Sequence, residues 1–76
     1  MRLKRKYVIL TFATTEAALA VEAACAEHGW PGRLIPTPQS VSAGCGLAWR
    51  APADEAAELL AHVDSLPVER VSTAEM

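Results

Sequence analysis

The order of strand-like and helix-like segments is the feature that most constrains the fold of this chain. Residues 7–12 are β-branched and aromatic over the length of a buried strand. Residues 15–28 are helix formers with apolar side chains at helical spacing, so we expect a helix capped by Thr14 or Thr15 and ended by Gly29. Further strands are expected at 33–35, 47–50 and 68–71, and a second helix from Pro52 to about residue 63.

This β-α-β-β-α-β order is typical of an α+β, ferredoxin-like two-layer sandwich. We therefore predict one domain over residues 1–76, with a core at about 6–72, a four-stranded antiparallel sheet and both helices on one face. The residues after 71 are expected to be frayed. The predicted core side chains are Leu10, Phe12, Val21, Leu34, Leu47, Leu59 and Val63.

The length and charge of the chain exclude several classes of function. A chain of 76 residues has no room for an enclosed active site and a cofactor domain, so we expect no cofactor. The net charge of −2 argues against a nucleic-acid partner, and no apolar run reaches the roughly 20 residues of a membrane span. With no secretion signal at the N-terminus, we expect a cytoplasmic protein with reduced thiols. The basic cluster at residues 2–6 fits a solubilising arm better than a nucleic-acid or membrane contact.

A loop rich in Pro, Ser and Gly, residues 36–46, contains the residue best suited to chemistry, Cys45. Glycines on both sides allow another molecule to approach the backbone closely. In the predicted fold this loop lies beside the first turn of the first helix, whose partial positive charge favours a thiolate. Cys45 is therefore expected to be a reactive nucleophile; the alternative is a small apolar residue at the start of a strand. The residues expected to shape this site are Gly44, Gly46, Ser42, Ser40, Thr14 and Thr15.

The other cysteine and the histidines have more ordinary interpretations. Cys25 falls on the apolar stripe of the first helix, so it should be buried, and it lies about 15 Å along the helix axis from the expected site, too far for a disulfide with Cys45. The predicted topology places His28 at one end of the sheet and His62 at the other, beside Cys45, where His62 is either a base or an exposed surface residue. Separated histidines and cysteines do not make a metal site.

Two segments carry a resemblance to a known family. The run Gly-Arg-Leu-Ile-Pro-Thr-Pro at 32–38 and the run Ser-Ala-Gly-Cys-Gly-Leu-Ala at 42–48 resemble the small DUF3343 domains, as does the opening strand with Thr14 and Thr15 before a helix. That family is described as selenium or sulfur carrier proteins. The resemblance implies that Cys45 is the carrier cysteine and that Arg33, Pro36 and Pro38 shape its surroundings. Gln39 stands where a basic residue is common in the family, which weakens the argument for an anionic substrate.

The resemblance implies a carrier, an accessory protein rather than a classical enzyme. Cys45 would take a sulfane sulfur or a selenium atom from a donor such as a cysteine desulfurase. It would pass the atom to an acceptor protein of TusA-like or selenium-metabolism type. One alternative is a non-catalytic binding or regulatory module, because this fold does not determine function. The other is a thiol redox sensor, against which the lack of a nearby resolving cysteine counts. An exposed edge strand could also pair two copies in a homodimer.

Overall fold

The described part of the chain forms one four-stranded antiparallel sheet with helices on one face. The structure is a computed structural model that describes residues 4–38 and 46–75. The strands follow the order β2-β3-β1-β4, and every neighbouring pair is antiparallel. This arrangement confirms the predicted α+β, ferredoxin-like sandwich. The elements are β1 (Lys6–Thr11), α1 (Thr15–His28), β2 (Arg33–Pro36), β3 (Leu47–Pro52), a 3-10 turn (Ala53–Glu55), α2 (Ala57–Ala61), a second 3-10 turn (Val63–Ser65) and β4 (Arg70–Glu75).

The core lies between α1, the shorter helical segments and one face of the sheet. Alternate residues of β1 and the residue after it, Val8, Leu10 and Phe12, point to this face because successive strand side chains alternate. Buried side chains of α1 meet them at steps of three and four residues, as an amphipathic helix requires. Of the predicted core, Leu10, Phe12, Val21 and Leu59 have no exposed surface, whereas Leu34, Leu47 and Val63 are half-buried at the border.

The second helix is much shorter than predicted, and this overturns the expected position of His62. The predicted helix began at Pro52, but no side chain caps the helical segments that follow Pro52, and they divide into two 3-10 turns around α2. Five residues of α-helix rise only about 7.5 Å, too little to carry the chain from one end of the sheet to the other. The chain returns only at Glu69, whose N–H donates to the carbonyl oxygen of Thr11 at 2.8 Å. His62 is therefore not beside Thr37 and Gly46, the described ends of the loop.

The last strand lies later in the sequence than predicted. A strand was expected at 68–71 with a frayed end, but β4 covers Arg70–Glu75 and pairs with β1 over its whole length. The expected end was wrong because Ala and Glu are weak strand formers on their own. Pairing with β1 overrides that preference, since the buried strand β1 needs partners for its backbone groups on both sides.

A glycine between α1 and β2 allows close contact with β3. Gly32 has φ +119°, and a Cβ there would lie 2.6 Å from the carbonyl oxygen of Arg50 and would overlap the indole nitrogen of Trp49. That indole nitrogen donates a hydrogen bond to the carbonyl oxygen of Pro31 at 3.1 Å. The turn before β2 thus packs directly on β3.

Replacing Gly32 with alanine is expected to lower the free energy of unfolding by at least about 2 kcal/mol, because backbone strain and overlap with fixed atoms add. Gly29, at the end of α1 with φ +71° and no atom near an added Cβ, is the matched control. Gly29→Ala should cost only about 1 kcal/mol, since it adds strain without overlap. Urea unfolding of both variants measures the difference, and equal midpoints would contradict the packing argument.

Candidate functional site

The two ends of the candidate loop are hydrogen-bonded to each other at the end of the sheet where β2 ends and β3 begins. The N–H of Thr37 donates to the carbonyl oxygen of Gly46 at 2.9 Å, directly beyond the paired residues Pro36 and Leu47. Gly46 is exposed and has φ +77°, in the left-handed region that favours glycine. The glycine after Cys45 is thus one that the backbone requires. The predicted site residues Ser40, Ser42, Gly44 and Cys45 lie outside the described residues.

The start of α1 lies at the same end of the sheet. Thr11, the last residue of β1, is paired with Ala48, so the segment leading into α1 leaves the sheet beside the start of β3. Thr14 caps the helix: its hydroxyl oxygen accepts a hydrogen bond from the N–H of Ala17 at 3.1 Å. The free N–H groups of the first turn give this end a partial positive charge, which Glu16 in that turn partly offsets. The predicted site residues that lie at this end of the sheet are Thr14, Thr15, Pro36, Pro38 and Gly46.

Arg33 lies at the end of β2 that is far from the loop. It is the first residue of β2 and is paired with Arg50, whereas the loop leaves from the other end of that strand. Three residues of strand separate Arg33 from Pro36, about 10 Å. Leu34 packs on the core, so the Arg33 side chain points to the face of the sheet opposite the helices. The structure does not bring Arg33 to the ends of the loop.

A buried hydroxyl without a partner lies at the base of the loop. The Oγ1 atom of Thr37 is inaccessible to solvent and makes no hydrogen bond. A polar group left in this state costs about 1–3 kcal/mol relative to one that is paired. Sequences keep such a cost mainly at functional positions. Nothing in the amino-acid pattern around Thr37 had indicated it as a site residue.

Cys25 is a structural thiol, as predicted. It is only 1% exposed on the core side of α1, and it is not in a disulfide. Burial raises the pKa of the Cys25 thiol, because an apolar environment disfavours the thiolate. A thiol in this state is a poor nucleophile at neutral pH. Of the two cysteines, Cys25 is therefore not the candidate for covalent chemistry.

Two histidines and a tryptophan stack at the end of the sheet away from the loop. The rings of His28 and Trp30 are 4.4 Å apart at their centroids, and those of Trp30 and His62 are 5.0 Å apart. Nδ1 of His62 donates to the carbonyl oxygen of Glu58 at 2.9 Å. His62 is thus engaged where α1 and α2 end, away from Thr37 and Gly46, the described ends of the loop. The sequence contained the close pair His28 and Trp30 but no signal that His62 would join them.

Two other classes of site find no support in the described ranges 4–38 and 46–75. Within them, no three His, Cys, Asp or Glu side chains are grouped in a way that could hold a metal ion. Within the same ranges, no helix has both the length and the apolar character needed to cross a membrane.

Comparison with known proteins agrees with the resemblance seen in the sequence. A family model described as "Putative Se/S carrier protein-like" matches residues 6–71, which include β1 to β3, both helices, the candidate loop and the first two residues of β4. Comparison with curated proteins finds no match, and comparison with solved structures finds none. Because the match covers most of the sequence, this chain belongs to the Se/S carrier protein-like family.

Proposed function

We propose that this protein carries sulfur or selenium as a single atom bound to Cys45. The observation that carries the proposal is the family match over residues 6–71, which spans the glycine-flanked Cys45. Burial of Cys25 supports the same choice, because it leaves Cys45 as the thiol suited to covalent chemistry. The protein would then act as an accessory carrier rather than as an enzyme that turns over a small substrate.

The chemistry requires only an exchange between sulfur atoms. The thiolate of Cys45 attacks the outer sulfur of a donor persulfide, forms a new S–S bond and displaces the donor thiolate, so that Cys45 becomes the persulfide. A nucleophile of the acceptor then attacks that outer sulfur, and the Cys45 thiolate leaves. A selenium atom follows the same two steps. No external oxidant or reductant is needed, because the transferred atom keeps its oxidation state.

The end of the sheet from which the loop at 37–46 leaves suits a carrier cysteine in two ways. The first turn of α1 lies at that end, and a helix N-terminus favours a thiolate by about 0.3–1 kcal/mol. The unpaired hydroxyl of Thr37 lies at the base of the loop and can donate a hydrogen bond to an anionic sulfur without losing one made elsewhere. Both effects are modest, so the proposal expects an assisted thiol rather than a strongly acidic one.

The proposed partners follow from the chemistry. The donor is a protein that forms a persulfide on its own cysteine, such as a cysteine desulfurase. The acceptor is a second protein with a nucleophilic sulfur, of TusA-like or selenium-metabolism type. Both must reach the loop, and its described ends lie where β2 ends and β3 begins, with Gly46 exposed. A protein partner can therefore approach from outside the fold.

The test is the mass of the intact protein after incubation with a cysteine desulfurase and cysteine. Wild type should gain the mass of one sulfur atom, and a thiol reductant should remove it. Cys45→Ser should gain nothing, because a serine hydroxyl is not ionised at neutral pH and forms no persulfide. Circular dichroism of the variant should match that of wild type.

The matched control is Cys25→Ser, which removes the other thiol. It should load like wild type, although a hydroxyl in an apolar site should cost about 1–3 kcal/mol of stability. The proposal is wrong if Cys45→Ser still loads, or if wild type never loads with sulfur from cysteine or with selenium when the desulfurase is given selenocysteine. A non-catalytic binding module would then be the better description.

A further inference from the structure

The two outer strands of the sheet differ in how well they are protected against pairing with another chain. Among the described residues, β2 and β4 each pair with a neighbour on one side, so each leaves a row of N–H and C=O groups on its other side. β2 is only four residues long, and Pro36 within it and Pro31 and Pro38 beside it have no N–H to donate. A short strand with prolines is a poor partner for a further strand.

The outer strand β4 has neither form of protection. It is six residues long and contains no proline. Its charged residues, Arg70 and Glu75, stand at its two ends, and the four residues between them are the uncharged run Val-Ser-Thr-Ala. The middle of β4 can therefore accept another strand without a missing donor and without burying a charge.

An exposed valine and an apolar groove lie beside β4. Val71 is 45% exposed, and it is paired with Leu10 of the core, so it lies on the helical face of the sheet. Val63, Leu66 and Val68 line a groove together with Val71, between the second 3-10 turn and β4. A strand added to β4 would cover this apolar surface as well as satisfy the backbone groups.

From these features we propose that β4 pairs with β4 of a second copy of this chain to form one continuous eight-stranded sheet. The two strands are antiparallel and related by a two-fold axis, the commonest symmetry of homodimers. That axis is perpendicular to the sheet, so both helical layers lie on the same face and opposite residues come from the same face. The axis therefore passes beside one residue of β4, which lies opposite its own counterpart.

The charges of β4 select the residue at the axis. An axis at Arg70 would place two arginines opposite each other, and an axis at the residue after Val71 would place Glu69 opposite Glu75; both pairs of like charges are unfavourable. An axis at Thr73 would place the apolar Val71 opposite Glu75. An axis at Val71 itself brings the two exposed valines together and places no like charges opposite each other. The register with Val71 at the axis is therefore the expected one.

The dimer should tighten as salt is added. The groove beside Val71 is also lined by Asp64, Glu69 and Arg70, so each copy contributes a net negative charge near the axis. Salt screens the repulsion between these charges, whereas the apolar and backbone contacts remain. A complex held by charge attraction would instead weaken.

The test is sedimentation equilibrium of the full chain over a concentration series. Wild type should show a monomer–dimer equilibrium. Val71→Lys should weaken dimerisation by about tenfold or more, because it places two ammonium groups opposite each other. Leu19→Lys is the matched control: it makes the same change of charge at a side chain of α1 that is 51% exposed, and it should dimerise like wild type. Circular dichroism should show that both variants are folded.

Cross-linking through an introduced cysteine tests the register. Both variants also carry Cys45→Ser, which leaves only the buried Cys25. Val71→Cys should form a disulfide between two copies on mild oxidation, because opposite residues of antiparallel strands have Cα atoms about 4.5–5.5 Å apart, within reach of a disulfide. Thr73→Cys should not, because this register separates the two copies of Thr73 by about 13 Å along the strands.

Four results would overturn the proposal. Wild type could remain a monomer at every concentration, which would leave β4 available to an extended segment of another protein. Val71→Lys and Leu19→Lys could have equal effects on dimerisation, or salt could dissociate the dimer. Thr73→Cys could cross-link as fast as Val71→Cys.

Dimerisation does not depend on the chemistry of Cys45. The strands β2 and β3, between which the candidate loop runs, lie at the two outer ends of the eight-stranded sheet, away from the axis. Cys45→Ser should therefore dimerise like wild type, and Val71→Lys should still load sulfur. The carrier proposal and the dimer proposal can thus fail separately.

Discussion

Replacing Phe12 with alanine is expected to lower the free energy of unfolding by about 3–5 kcal/mol. Phe12 follows β1, has no exposed surface and is the largest of the fully buried side chains. Its removal takes away apolar burial and leaves a cavity that the surrounding residues fill only in part. Small domains have little stability to lose, at roughly 0.05–0.15 kcal/mol per residue, so much of the variant should be unfolded at 25 °C.

The control is Leu19→Ala, which removes an apolar side chain from α1 that is 51% exposed. This change should stay within about 0.5 kcal/mol, because the side chain is largely hydrated in the folded state and alanine is a good helix former. Urea unfolding followed by circular dichroism measures both variants. A Phe12→Ala midpoint equal to that of Leu19→Ala would show that the core is not organised around Phe12.

The second large effect is a difference of about 10³-fold or more in alkylation rate between the two cysteines of the folded protein. Cys25, at 1% exposure, can react only when the chain opens, and global opening at a stability of 5 kcal/mol is populated at less than one part in 10³. Cys45, between two glycines in a loop, is expected to react as an accessible thiol. Peptide mass spectrometry after timed exposure to iodoacetamide measures both rates.

Two further observations check this interpretation of the labelling. Burial raises the pKa of Cys25 only in the folded chain, and Cys25 reacts only in the opened chain, so moderate alkaline pH should increase its labelling at least as much as it increases that of an ordinary exposed thiol. Phe12→Ala should accelerate labelling of Cys25 by the factor that corresponds to its loss of stability, while Cys45 should change little. Equal rates at both cysteines in folded wild type would refute the distinction between a structural and a reactive thiol.

The parts of the fold that the sequence predicted well are those with strong local signals. In β1 the β-branched run coincides with burial, and in α1 the capping Thr14 and the left-handed Gly29 mark both ends. The end of β4 and the break in the second helix depend instead on tertiary contacts. β4 forms because β1 needs a partner, and α2 stays short because nothing caps it.

The candidate site also has parts that a local sequence signal predicted and parts that depend on tertiary structure. The nucleophile and its flanking glycines could be recognised because Gly-Cys-Gly is an unusual sequence for a packed strand. The placement of His62 depended on the length of a helix, so a wrong length put it at the wrong end of the sheet. The unpaired hydroxyl of Thr37 could not be predicted, because it depends on hydrogen bonding that no local pattern encodes.

The pairing of the first strand with the last has a consequence for protein fusions. Lys6 and Glu75 are directly opposite each other, so both ends of the described chain leave the sheet at one place. The loop at 37–46 leaves from the opposite end of the strands, about 17 Å away along β1. A second domain tethered at either end would start far from that loop, and a short linker between the two ends would suit a circular permutant.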